Sequence, residues 1–186
     1  MLFRSSWSVQ GNATGTYGSL AVNSTGQWTY TLDNAAHQNL AQGESHVETF
    51  TVRVTDDKGA FVDQTVSVTV NGTNDGPVIT NTATALTGSV TEDTALTATG
   101  QLSASDVDAG ATQSWSVQGN ATGAYGSLAV NSTGQWTYTL DNAAHQSLAA
   151  GKSHVESFTV RVTDDKGAYV DQTVSVTVNG TNDGPV

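Results

Sequence analysis

Residues 158–180 read FTVRVTDDKGAYVDQTVSVTVNG, and the alternation in this stretch decides the fold. Phe158, Val160 and Val162 share one parity while Thr159 and Arg161 take the other, and Val174, Val176 and Val178 alternate likewise with Ser175 and Thr177. A period of two marks a half-buried antiparallel strand, whose successive side chains point to opposite faces. Asp164 to Gly167 separates the two runs as a turn. Working outward, Trp136, Tyr138 and Leu140 alternate around Thr137 and Thr139, and turn residues recur at Gly119 with Asn120, Asn131 to Gly134, and Asn179 with Gly180. Short strands punctuated in this way predict an all-β sandwich, with the aromatic rings in its core rather than serving as sugar-stacking platforms. One short helical turn is expected from Asn142 to Ala150, capped by Asp141 and stopped by Gly151.

The same stretch occurs twice. Trp7–Val78 and Trp115–Val186 are identical except at Thr16/Ala124, Asn39/Ser147, Gln42/Ala150, Glu44/Lys152, Thr49/Ser157 and Phe61/Tyr169, at an offset of 108 residues. Solenoid repeats run about 20–50 residues, so this period implies self-contained domains in tandem, each with its own core. Two domains are expected: residues 1–76, incomplete and lacking its first strands, and residues 77–186, complete. The first has no counterpart of Ile79–Gln113, which includes Leu96 and Leu102, and Met1–Ser5 does not resemble the stretch before Trp115. The chain therefore reads as a cut from a longer array. Asn74–Val78 reaches at most about 18 Å against roughly 33 Å for a ten-residue strand, so Ile79–Gln113 is expected to complete the second body. That leaves the first with an open edge, expected to be either partly mobile or completed by strand exchange with another copy.

Seventeen acidic against six basic residues give a net charge of -11, which disfavours nucleic acid and anionic membrane surfaces as partners. No apolar run approaches the roughly 18 residues of a membrane helix, and no cysteine is present for a disulfide or thiolate metal site. Catalytic signatures are missing too. Gly151-Lys152-Ser153 lacks the upstream glycine of a phosphate loop, since position 146 is Gln. His37, His46, His145 and His154 are two positions copied twice, without the companions of a zinc site, and read as surface or loop residues. The chain is expected not to be an enzyme.

Carboxylates cluster beside the turns: Glu92 with Asp93, Asp106 with Asp108, Asp164 with Asp165, and Asn74-Asp75, repeated at Asn182-Asp183. Calcium takes six to eight oxygens at about 2.3–2.6 Å, which acidic loops at one end of a sandwich can supply together with backbone carbonyls. Asp106 and Asp108 alternate along an extended strand and would face one ion. The plainer reading is a solubilising acidic surface. Asp106-Val-Asp108-Ala-Gly110 is no EF-hand, because Gly110 takes the position of an oxygen ligand.

The stretches TEDTALTATGQLSASDVDAGAT, YGSLAVNSTGQWTYTLDNAAH, FTVRVTDDKGA and VTVNGTNDGPV resemble VCBS repeats, the cadherin-like units of large bacterial RTX-type adhesins. The resemblance covers one whole unit and the last two-thirds of another. It implies tandem Greek-key, cadherin- or immunoglobulin-like sandwiches, type I export to the cell surface or medium, and roles in cell adhesion and biofilm formation. Through the cadherins it also implies Ca2+ at the joint between repeats, held here by Asp33, Asn74, Asp75, Asp106, Asp108 and Asp164. Glu92, Asp141, Asn182 and Asp183 would serve an incomplete next joint. Gly76 replaces the last Asn of the linker motif and Ala35 a second carboxylate, so fewer ions per joint are expected than in a cadherin.

The function expected from this reading is a calcium-stiffened extender of an adhesin, whose partners are neighbouring repeats of the same polypeptide. The alternative is a loop-based carbohydrate- or surface-binding module of an adhesin or secreted enzyme.

Overall fold

The computed structural model describes residues 5–184. The chain divides into two compact units, Met1–Asn74 and Asp75–Val186. In the first, β1 (Ser6–Gln10), β4 (Ser45–Thr55) and β5 (Phe61–Asn71) form an antiparallel sheet in the order β1-β4-β5, while β2 (Gly18–Val22) pairs with β3 (Trp28–Leu32). The second unit opens with β6 (Val78–Ile79), β7 (Thr87–Thr91), β8 (Thr97–Gln101) and β9 (Ala104–Ser105). It continues with β10 (Gln113–Gln118), β11 (Gly126–Val130), β12 (Gln135–Leu140), β13 (Ser153–Asp164) and β14 (Tyr169–Asn179). One of its sheets runs β10-β13-β14-β7 and the other β11-β12-β8, with β6 and β9 paired beside them.

The alternating residues do what their parity requires. Trp136, Tyr138 and Leu140 face Phe158, Val160, Val174, Val176 and Val178 in the core of the second unit, joined by Val90, Leu102 and Leu128. The hairpin between β13 and β14 turns on Gly167 at φ +94°, a backbone region open to glycine. Its Asp164 carboxylate accepts hydrogen bonds from the Lys166 and Ala168 amides. Ile79–Gln113 contributes β7, antiparallel β8 and β10 to this unit, with β7 parallel to β14. The length of the Asn74–Val78 linker is not what enforces this arrangement. Fifteen residues separate Asn71 from Thr87, so reach alone would not keep β7 from the first unit.

Several expectations need correction. No helix forms from Asn142 to Ala150. The Asp141 carboxylate accepts a bond from the Ala144 amide at 3.4 Å, but Asn142 is held on the neighbouring turn, accepting from the Asp93 amide and donating to the Asp93 carboxylate, each at 2.9 Å. Such side-chain bonds compete with a helix too short to offset its nucleation cost. The equivalent stretch of the first unit makes a single 3-10 turn, Asn34–Ala36. Of the two leucines in the added segment, Leu102 is buried, whereas Leu96 is 39% exposed and takes part through its carbonyl, which accepts a bond from the Leu140 amide. Not every aromatic ring is in the core. Tyr169 and Phe61 lie on the outward parity, where the Arg161 and Arg53 guanidinium groups cover them at 3.4 and 3.6 Å from the ring centroid.

Candidate functional site

Four of the six residues assigned to the inter-repeat joint belong to the second unit, and the fold gathers them at one end. The chain leaves β9 into Asp106-Val107-Asp108, where the Asp108 amide donates to Asp106 Oδ1 at 3.0 Å. This short loop turns both carboxylates inward. Asp108 Oδ2 accepts the Asp75 amide at 2.9 Å, tying the linker to the loop. The β13–β14 turn lies at the same end, where the Asp165 carboxylate accepts the Thr112 amide at 3.3 Å and the Lys166 ammonium at 2.9 Å. Asp165 holds the Lys166 ammonium above its ordinary pKa, with smaller contributions from Asp164 and Asp108. Gly76 sits beside Ala168 of this turn.

Two oxygens in this cluster have no hydrogen-bond donor: Asp106 Oδ2 and Asp108 Oδ1, both buried. A buried carboxylate oxygen without a partner is costly, and a cation is one way to satisfy it. The donor set is hard oxygen throughout, which suits calcium and not a thiolate- or imidazole-seeking metal. Among the described residues, no group of three or more His, Cys, Asp or Glu side chains converges as a ready metal cage. An ion here would therefore draw on carbonyl, amide or water oxygens as well. Asp33 and Asn74 belong to the first unit. Asp33 is exposed at the start of the 3-10 turn without capping it, and Asn74 is half-buried.

The opposite end of the second unit collects Glu92, Asp141 and the Thr181–Asp183 stretch. Glu92 is fully buried, and its Oε2 accepts the Thr181 amide at 3.3 Å while Oε1 has no partner. Asp141 serves its own turn, and Asn182 and Asp183 are exposed. Asp93, beside Glu92, is occupied. With φ at +63°, it accepts bonds from Asn142, Gln146 and Thr181, which hold its carboxyl below the usual range, Asn142 most strongly.

Sequence reasoning overlooked a buried carboxylate in each unit. Glu156 Oε2 accepts the Tyr138 hydroxyl at 2.5 Å, and Oε1 accepts the Ala124 and Tyr125 amides. Glu48 repeats this with Tyr30, Thr16 and Tyr17. Burial acts to raise the Glu48 pKa, but those donors, Tyr30 first, outweigh it and leave the carboxyl below its ordinary value. Burial in turn pushes the Tyr30 hydroxyl up to about 12, helped by Glu48. The signal was available: Glu156 takes the parity of Phe158 and Val160, where only apolar residues are expected. The histidines flank tyrosines, with His145 and His154 on Tyr125 and His37 and His46 on Tyr17, at centroid distances of 4.7 to 4.9 Å.

The model of the bacterial cadherin-like domain matches residues 4–72 and 74–180. Similar solved structures include Drosophila N-cadherin EC1-4, 15% identical with a TM-score of 0.55 over 95% of this chain and 42% of that one. PcdhgB3 EC1-4 is likewise 15% identical, with a TM-score of 0.50 over 95% and 41%. The chain spans less than half the length of either, and at such identity the likeness speaks for the fold alone. No curated protein matches the sequence.

Proposed function

The chain belongs to the bacterial cadherin-like domain family, whose architecture is generally that of an extracellular, adhesion-related module, and we propose that it acts as a calcium-stiffened extender in a bacterial adhesin of the VCBS type. The observation that carries this reading is the pair of partnerless buried oxygens, Asp106 Oδ2 and Asp108 Oδ1, on adjacent carboxylates tied to the linker at Asp75. When bound there, Ca2+ supplies the positive charge that two crowded carboxylates otherwise lack. The residues proposed to hold it are Asp33, Asn74, Asp75, Asp106, Asp108 and Asp164. Glu92, Asp141, Asn182 and Asp183 are proposed to begin the next joint, where Glu92 Oε1 again has no donor.

Two features of the second unit favour a spacer over a sugar-binding module: the exposed Tyr169 ring lies under Arg161, and Tyr125 is flanked by two imidazoles, so neither offers an open stacking face. Among the described residues no helix is long and apolar enough to cross a membrane. A bacterial surface or secreted location, type I secretion and a role in biofilms complete the proposal.

The test is thermal unfolding and small-angle scattering of the full chain in calcium and in chelator. Calcium is expected to raise Tm, by about 4–8 °C per kcal/mol of added stability for units of this size, and to lengthen the maximum dimension. Asp106→Asn with Asp108→Asn should abolish most of that response while raising Tm in chelator, because it removes the repulsion. Identical Tm and dimension with and without calcium would refute the reading.

A further inference from the structure

The acidic end of the second unit already carries a cation of its own. Asp164 ends β13, and the Lys166 amide donates to its Oδ1 at 2.8 Å, so the lysine side chain starts beside a carboxylate proposed to hold calcium. The Lys166 ammonium lies 2.9 Å from Asp165 Oδ2, while Asp165 Oδ1 accepts the Thr112 amide at 3.3 Å. Asp165 is thus spent on fastening the β13–β14 turn to the segment that follows Asp106 and Asp108, and it holds the ammonium there. Asp164 and Asp108 add to its field on that ammonium. The other basic side chains of the second unit are engaged or remote. Arg161 is bound through two nitrogens to Asp171 at 2.7 and 2.8 Å, and Lys152 precedes β13, at the far end of that strand from Asp164.

We propose that Lys166 is an internal counter-ion of this site, which lowers its calcium affinity by neutralising part of the charge that the ion would otherwise meet. This role presupposes the calcium reading above and sets its threshold. Asp108 is only 7% exposed and its Oδ1 has no donor, so the ammonium leaves at least one buried oxygen unmet for an entering ion. Without the ion, the ammonium offsets part of the repulsion among Asp106, Asp108, Asp164 and Asp165 and so stabilises the empty site. When a divalent cation enters, the same ammonium becomes a like charge beside it. The Lys166 side chain is 41% exposed and can swing towards solvent on its flexible stem, giving up its contact with Asp165. Both effects raise the calcium concentration at which the site fills, towards the weak range of extracellular modules, about 10⁻⁴–10⁻³ M.

Calorimetric Ca2+ titration and thermal unfolding of the full chain test this with Lys166→Met, which keeps the stem without the charge, and Lys166→Arg, which keeps the charge. Lys166→Met is expected to bind calcium about two- to fivefold more tightly and to melt at a lower temperature in chelator. Lys166→Arg should match the wild type in both. These opposite signs separate the proposal from a lysine that merely supports its turn, whose loss would lower Tm without tightening the ion. Lys58→Met serves as the control, on the corresponding turn of the first unit, where the ammonium is 3.8 Å from Asp57 on a side chain 83% exposed, and it should change neither quantity. Should Lys166→Met fail to fold, Lys166→Gln removes the same charge with a polar side chain. If wild type and charge-removed variant both take up no calcium, the calcium reading falls and this role with it. If the wild type binds and the charge-removed variant binds no more tightly, or Lys166→Arg tightens binding equally, the calcium reading stands and the role of Lys166 is overturned.

Discussion

A carboxylate on the core face of a strand must be matched donor by donor, and Glu156 is: a phenol and two backbone amides meet its two oxygens. Tyr138→Phe removes one charged hydrogen bond and leaves Oε2 buried without it, so the second unit is expected to lose about 1.5–3 kcal/mol, measurable by denaturant unfolding. Tyr30→Phe should cost the first unit less, because Tyr30 is only half-buried. The sign of the pH effect follows from Glu48, whose carboxyl lies below its ordinary value of 4.5 in the folded state. Its stabilisation is complete above that ordinary value and drains away as pH falls through the lower folded value. An acid titration of the full chain should therefore show stability falling below about pH 4.5, and Glu48→Gln should flatten the first unit's part of it. These residues were half-legible in advance. The parity of Glu156 carried a signal that went unread, and only the fold brings Tyr138 and the 124–125 amides to it, across 18 and about 31 positions of sequence.

At the scale of elements, the strands announced by alternation all formed, because Val, Phe, Trp, Tyr and Thr at period two have few other ways to bury one face. The strands that complete the second sandwich were harder to see. β7 reads TGSVT and β8 reads TATGQ, with small residues where bulk is expected, since a tryptophan from β12 occupies the space their side chains would need. Gly100→Val is accordingly expected to destabilise the second unit by about 1–3 kcal/mol or more through overpacking, and to leave the first unit's melting unchanged. The missing helix at 142–150 has the opposite cause: its local propensity was genuine, but Asn142 found better partners on a turn 49 residues away. The acidic joint was legible as composition and spacing. Which oxygens lack donors was not, because that depends on how the Asp75 and Asp108 amides are spent.

Over the whole molecule, two nearly identical sequences occupy two different energetic situations. Val174 and Val176 are fully buried, whereas Val66 and Val68 are only partly so, and among the described residues the buried hydrophobic side chains of the first unit reduce to Leu20, Phe50, Val52 and Val70. Each large side chain left out of a core forgoes about 1.5–3 kcal/mol, a large fraction of the stability of a small unit. Calorimetry should resolve two transitions, and limited proteolysis should cut within residues 1–73 well before it touches 115–178. A single transition with uniform resistance in a monomer would contradict this. The order of the strands along the chain also bears on biosynthesis. On a ribosome, β7 and β8 emerge when β3 and β5 have already appeared and β12 and β14 do not yet exist. Asn179, the end of β14, follows Gln101 by 78 residues, which at about 5–20 residues per second is a delay of roughly 4–16 s. During that interval the nascent β7 and β8 have no partner strand of their own unit, so the second sandwich can close only after β14 has been made.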